Sequence, residues 1–368
     1  MRRHVLQQYL LSRRQFLEHA ARMSGATLAS VPLIGCGADE QTTPRNDAGS
    51  GSGSPADAGL GDTMGPDTMA TDGSSASDGS AAADVAATSP WFRFAVVADT
   101  HIIDEWYTGP ESNQQDTESM FETSNRLTAA RDFMKSLTPA PEFVCHVGDL
   151  IHDYPSYDLN YFFQNTTRLD FAKDIMDGFG VPWHLCLGNH DYEFRDVARA
   201  DTHGLFRDKL GVEPYSSFDF RGWKFIFLDV YSGETHNPDS PIFLNGNNGS
   251  LGETQLLWLE GQLQQRKPTF IFMHQMLSIM QAREVGDLDI FRLLTEYTDT
   301  IKYVIAGHTH RWIDNGTVFG PPHMVMGATR YDEDCFIICD VNTETGEFVF
   351  ANQHTWHPVA VSADRWEV

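Results

Sequence analysis

Six short apolar runs, each stopping at or near a residue with chemistry to offer, constrain this chain more than any other feature. They are "WFRFAVVAD", "EFVCHVGD", "VPWHLCLGNHD", "KFIFLDV", "PTFIFMHQ" and "KYVIAGHTH". Continuously apolar runs of this length read as strands buried on both faces. Stretches with helical patterning fall between them, at 117–136, 158–178, 252–266 and 287–299. Strands alternating with helices imply an α/β core. "MVMGAT", "CFIICDV" and "EFVFANQ" near the end of the chain read as further strands, expected antiparallel. In open α/β folds ligands bind at the carboxyl ends of strands, where the outgoing loops converge. Asp99, His101, Asp149, Asn189, His190, His274, His308 and His310 all occupy such ends.

The segment before the first run has a different character. "SRRQFL", with Arg13 and Arg14, resembles a twin-arginine export signal, and "LIGC" resembles a lipobox with Cys36 as the lipidated residue. The apolar stretch between them is shorter than the roughly 20 residues a spanning helix needs. Residues 37–90 are mostly Gly, Ser, Ala, Thr, Asp and Pro with no aromatic residue, a composition expected to stay disordered and to act as a spacer. The expected organisation is therefore a signal peptide over 1–36, a linker over 37–90 and one folded domain over 91–368. The expected location is the periplasm or cell surface, with the chain anchored to a membrane through Cys36.

The 368 residues carry a formal net charge of −25, which argues against nucleic acid as a partner, because a phosphate-tracking surface needs Lys and Arg. The strand ends offer the two carboxylates of Asp99 and Asp149, the imidazoles of His101, His274, His308 and His310, and the amide oxygen of Asn189. Such a polar cluster is costly to bury unless cations satisfy it. Mixed nitrogen and oxygen donors without thiolate point to a pair of divalent or mixed-valence ions, manganese or iron, with zinc as the alternative. If the chain stays extended through "GHTH", period two puts the rings of His308 and His310 on the same side. His146 and His184 lie inside runs and read as core residues. His152, His203, Arg195 and Arg311 are weighed as pocket residues, as are the loops "EWYTGPESNQQD" and "NPDSPIFLNGNNGS". Cys145, Cys186, Cys335 and Cys339 read as buried free thiols acting as small apolar residues, although export would permit disulfides.

Asp99-Thr100-His101, Gly148-Asp149, Gly188-Asn189-His190-Asp191, His274 and Gly307-His308-Thr309-His310 resemble, in order and spacing, the five motifs of the calcineurin-like metallophosphoesterases. The resemblance implies a four-layered α/β sandwich with two mixed β-sheets flanked by helices, around a dinuclear metal centre. It implies Asp99, His101 and His310 on one metal, Asn189, His274 and His308 on the other, and Asp149 bridging them. It further implies a metal-bridging hydroxide as nucleophile, His190 as general acid, and a small phosphate ester or phosphoprotein as substrate. Asp191 is expected either to orient His190 or a ligand, or simply to cap its loop. His152 and Asp153 stand where the phosphoprotein phosphatases carry Asp-Arg and the purple acid phosphatases a metal-binding Tyr, so neither branch fits. The pattern looks nearer to the small calcineurin-like phosphoesterases that include cyclic-nucleotide phosphodiesterases. Two alternatives are a non-catalytic metal-binding surface lipoprotein, which would be expected to lack a ligand or His190, and a nuclease, which the acidic charge disfavours.

Overall fold

The structure, a computed structural model, describes residues 89–111, 113–192, 197–235 and 249–356. The expected signal peptide, nearly all of the expected linker, Arg195 and most of the loop 237–250 lie outside the described residues. Among the described residues, no helix is long and apolar enough to cross a membrane.

Two sheets form from the apolar runs. The first holds β1 (Trp91–Val97), β2 (Val144–His146), β3 (Trp183–Leu185), β10 (Ile337–Asn342) and β11 (Phe348–Phe350), in the order β11-β10-β1-β2-β3. The second holds β4 (Ser216–Phe220), β5 (Trp223–Leu228), β6 (Thr269–Met273), β7 (Ile301–Ala306), β8 (Ile313–Asp314) and β9 (His323–Val325), in the order β4-β5-β6-β7-β9-β8. In each sheet the strands that feed the motifs run parallel, β1-β2-β3 and β5-β6-β7, so their carboxyl ends share an edge. Antiparallel strands flank them: β10 on β1, β11 on β10, β4 on β5 and β8 on β9.

Both faces of β1 are apolar, and each face has its own partner. Phe92, Phe94 and Val96 join Phe143, Phe225, Phe270 and Phe272 in a core between the sheets, whereas Ala95 and Val97 belong to the larger core that contains the helices. Phe94 stacks on Phe143 at 5.3 Å and meets Phe225 and Phe270 edge-on at 5.3 and 5.2 Å. Sheet faces sheet with helices outside, which is the expected four-layered arrangement. The helices are α1 (Gln114–Phe121), α2 (Thr123–Ser136), α3 (Asn160–Gln164), α4 (Arg168–Asp177), α5 (Arg199–Leu210), α6 (Gly252–Leu263) and α7 (Ile290–Glu296).

Several expectations need correction. The helix expected over 117–136 is two, α1 and α2, meeting at Glu122; Asn113 begins α1 by accepting from the backbone N–H of Asp116 at 2.9 Å. The pattern over 158–178 is also broken, at 165–167, because the Asp170 carboxylate accepts from the backbone N–H of Thr167 at 2.8 Å and starts a new helix there. β9, expected antiparallel, runs parallel to β7: the connection 307–322 is long enough to carry the chain back before it re-enters the sheet. β4 lies outside the expected strands, since three of the five residues of its SSFDF are polar. It pairs with β5 through Arg221 and Gly222, whose φ values of 46° and 86° suit a tight hairpin turn.

Candidate metal centre

The parallel strands stop short of the chemistry, and the backbone then turns sharply. Asp99, His101, Asp149, His308 and His310 have φ values of 52°, 48°, 53°, 75° and 57°, in the left-handed region that costs a side-chain-bearing residue on the order of 1 kcal/mol or more. Five of the seven expected ligands are thus held in strained backbone at the ends of β1, β2 and β7. The loops also hold one another. The N–H of Asp99 donates to Gly148 O and that of His101 to Asp149 O, and the N–H of His308 donates to the Asp99 carboxylate at 3.0 Å.

These turns take His308 and His310 out of the extended conformation on which the same-side expectation depended, and the two rings meet different neighbours. His308 Nδ1 lies 2.9 Å from Asn189 Oδ1, and His274 Nε2 lies 3.1 Å from the same oxygen. His310 Nε2 lies 3.1 Å from His101 Nε2 and 3.4 Å from Asp99 Oδ1. Asp99, His101, Asp149 and His310 offer ligand atoms all within 4.8 Å of one another. Asp149 faces both groups: its Oδ2 is 3.2 Å from His274 Nε2 and 3.6 Å from His101 Nε2. All seven expected ligands therefore come together, in two groups with a shared carboxylate.

The donor set fits divalent ions. Nδ1–H of His274 donates to Val147 O at 2.8 Å, which turns its Nε2 toward the centre. Three motif glycines keep the cradle open. A Cβ at Gly148 would lie 2.5 Å from His274 Nδ1, one at Gly307 would lie 2.6 Å from Asp99 Oδ2, and one at Gly188 would collide with Asp149 Oδ1. Burial penalises the charge of Asp149, but His274 and His190 together hold its carboxyl far below the usual carboxylate range. Burial would equally lower His274, yet Asp149 lifts it to about 9. His308, dominated by burial, drops to about 3 and stays a neutral donor. One buried carboxylate thus already draws positive charge to this point of the fold.

Around the ligands stand residues of three kinds. His190 Nδ1 lies 2.7 Å from Asp153 Oδ1, and the His190 backbone N–H donates to Asp149 Oδ1 at 2.8 Å. Burial opposes protonation of His190, but Asp153 and Asp149 raise it to about 9. Asp191 does not orient that ring. Its carboxylate accepts from the N–H of Gly188 at 2.8 Å, Ile151 at 3.1 Å and Leu150 at 3.2 Å, and so ties the loop carrying Asn189 to the loop carrying Asp149. His152 is buried with Nδ1 3.2 Å from His101 Nδ1, and its Nε2 is 3.3 Å from Glu111 Oε1. Glu111 is opposed by burial but lowered to about 2 by its hydrogen bonds from His152 and Tyr107.

Neither Asp153 nor Glu111 is among the expected site residues, although Asp153 directly follows "GDLIH" and Glu111 lies inside the loop "EWYTGPESNQQD" that the sequence offers as a pocket wall. His146 is buried as expected, against Thr100 Oγ1 at 3.0 Å, whereas His184 is half-buried on the sheet face and stacks on Phe218 at 3.9 Å. His203 is engaged elsewhere, with Nε2 2.6 Å from Tyr192 Oη and 3.3 Å from Asp229. Cys145, Cys186, Cys335 and Cys339 are buried free thiols.

A model of the calcineurin-like phosphoesterase family matches residues 92–312. No curated protein matches the chain. Among solved structures, a dimetal phosphatase from Danio rerio is 18% identical over 67% of this chain and 92% of its own, with a TM-score of 0.44. A calcineurin-like phosphoesterase from Bacillus subtilis is 14% identical over 71% of this chain and 88% of its own, at 0.43. A purple acid phosphatase from yellow lupin seeds is 15% identical over 71% of this chain, at 0.42, and the match spans only 53% of the lupin protein. These overlaps are too loose to assign a branch of the family.

Proposed function

The chain belongs to the calcineurin-like phosphoesterase family, whose model spans more than half of it, and from that premise we propose that it hydrolyses phosphate mono- or diesters at a two-metal centre. The observation that carries the reading is Asp149, whose Oδ2 faces His274 Nε2 at 3.2 Å on one side and His101 Nε2 at 3.6 Å on the other. Asp99, His101 and His310 would hold one ion, Asn189, His274 and His308 the other, and Asp149 both. Such ions, manganese or iron with zinc as the alternative, supply Lewis acidity, which acidifies water and balances the charge of the phosphoryl oxygens.

The protein's own groups do the rest. His190, protonated and oriented by Asp153 through Nδ1, has Nε2–H left to give to the departing ester oxygen. Asp153, bonded to Nδ1, also favours the imidazolium form of His190 against the desolvation of its burial. Asp191 keeps Asn189 and Asp149 in register by holding three backbone N–H groups from their loops. The net charge of −25 favours small esters over a polynucleotide. The reading extends to address: Arg13, Arg14 and the "LIGC" around Cys36 support export and lipid anchoring of the domain outside the cytoplasm.

The test is metal stoichiometry together with turnover. The purified chain loaded with manganese should carry two ions and hydrolyse members of a panel of mono- and diesters, and Asp149→Asn should lose at least one ion and the activity with it. Two bound ions with no turnover on any ester would favour a non-catalytic metal protein. Full occupancy and normal turnover in Asp149→Asn would sink the shared-carboxylate centre.

A further inference from the structure

His101 has two ring nitrogens and both are engaged. Nε2 faces the centre, 3.1 Å from His310 Nε2 and 3.6 Å from Asp149 Oδ2, while Nδ1 faces away and lies 3.2 Å from His152 Nδ1. Two imidazole nitrogens at that separation need one proton between them. His152 decides whose it is, because its other nitrogen, Nε2, is 3.3 Å from Glu111 Oε1. An ionised carboxylate only accepts, so His152 Nε2 carries a hydrogen toward it. The Nδ1 of a neutral His152 is then the acceptor, and His101 Nδ1 is the donor. Glu111 Oε1 is held in turn by the Tyr107 hydroxyl at 2.7 Å.

We propose that Glu111 and His152 are positioning residues for the metal centre: through the chain Tyr107–Glu111–His152 they hold His101 in the tautomer that leaves Nε2 bare toward the ion. The inference rests on the two-metal reading above and adds to it the loop 104–111. That loop is built to bring Glu111 to this point. Arg168 of α4 donates to Asp104 Oδ1 at 2.7 Å and, from another nitrogen, to His152 O, so one guanidinium holds both the loop's start and the backbone of His152. The backbone N–H of Glu111 donates to Thr117 Oγ1 at 2.9 Å, which fixes the loop's end to α1. The Tyr107 ring packs edge-on against His152 at 5.8 Å. Asp153 Oδ2, at 3.9 Å from His152 Nε2, is outside hydrogen-bond range, and Asp153 is already bonded to His190. Seating of the loop and affinity for the ion on His101 are thereby coupled.

The experiment uses the full chain with manganese alone as the probe, and reads two quantities: affinity, from free manganese by electron paramagnetic resonance, and the His101 ring tautomer in the metal-free protein, from nitrogen–proton correlation spectra. His152→Ala should weaken one of the two ions by about 10- to 100-fold, the usual size of such outer-layer effects. His152→Asn should recover most of that loss, since its amide oxygen can accept from His101 Nδ1–H. Glu111→Ala should weaken the same ion by less, and should add nothing on top of His152→Ala, because it acts through that ring. The wild-type spectrum should show His101 protonated at Nδ1, and His152→Ala should redistribute that proton. Equal losses in His152→Ala and His152→Asn, or additive losses for Glu111 and His152, would overturn the chain, as would a tautomer that His152→Ala leaves unchanged. A third manganese that disappears in His152→Ala would overturn it too, by making His152 a ligand. A wild-type chain that takes up two ions, with variants that bind like it, removes this coupling alone; a wild-type chain that takes up none removes the two-metal reading with it.

Discussion

His190 has one nitrogen committed to Asp153 and one left over, and this asymmetry makes its role measurable. If Nε2–H protonates the leaving oxygen, His190→Ala should keep its metals but lose far more rate on an alkyl phosphate than on a nitrophenyl phosphate, whose oxygen leaves without help. Equal losses on the two esters would remove it from that role. The paired histidines allow a second test at the same scale. His308 contacts Asn189 and His310 contacts His101, so at limiting manganese His310→Ala should leave one ion that is lost on Asn189→Ala but indifferent to His101→Ala. His308→Ala should show the opposite dependence, and mass spectrometry of the four double variants would read it. An identical response of both would put the rings on one ion. That these eight residues would gather was legible from the ends of the apolar runs; the different neighbours of His308 and His310 were not, because they follow from left-handed backbone that period two does not describe.

Among the elements, the six apolar runs were readable because β-branched and aromatic residues on both faces leave little alternative to a covered strand. β4 was not, since three of its five residues are polar and only the pairing with β5 makes it a strand. The loop 104–111 was legible as a polar segment that could wall a pocket; its place against the centre follows from a buried ion pair between Asp104 and Arg168, both almost fully covered. Removing one partner of such a pair leaves the other charge buried and uncompensated. Arg168→Met should therefore destabilise the domain by about 3–5 kcal/mol in denaturant titration, and it should also free the carbonyl of His152 that Arg168 holds. A change below about 1 kcal/mol would mean that the loop finds another anchor, and that surface-like screening governs the pair.

At the scale of the whole molecule, the metals and the fold should stabilise one another, because ligands gathered from the ends of β1, β2, β6 and β7 and from the loop after β3 exist as a set only in the folded chain. Ions bound to the native state at 100 times their Kd add about 2.7 kcal/mol per site, so a chelator should lower the melting temperature and added manganese should restore it; a melt insensitive to both would contradict the coupling. The chain's own residues determined that this would be an α/β domain with seven metal-type donors and a further histidine, His190, at strand ends, since hydrophobic runs and donor chemistry are local properties. Tertiary structure alone decided that Asp149 stands between two donor groups, that Asp191 braces two loops and does not orient His190, that Asp153 stands beside His190 and that Glu111 stands beside His152. The reason is geometric: a hydrogen bond or a shared carboxylate depends on separations of a few tenths of an ångström between residues 37 to 209 positions apart. No local pattern encodes that, and it appears only when two sheets bring their edges together.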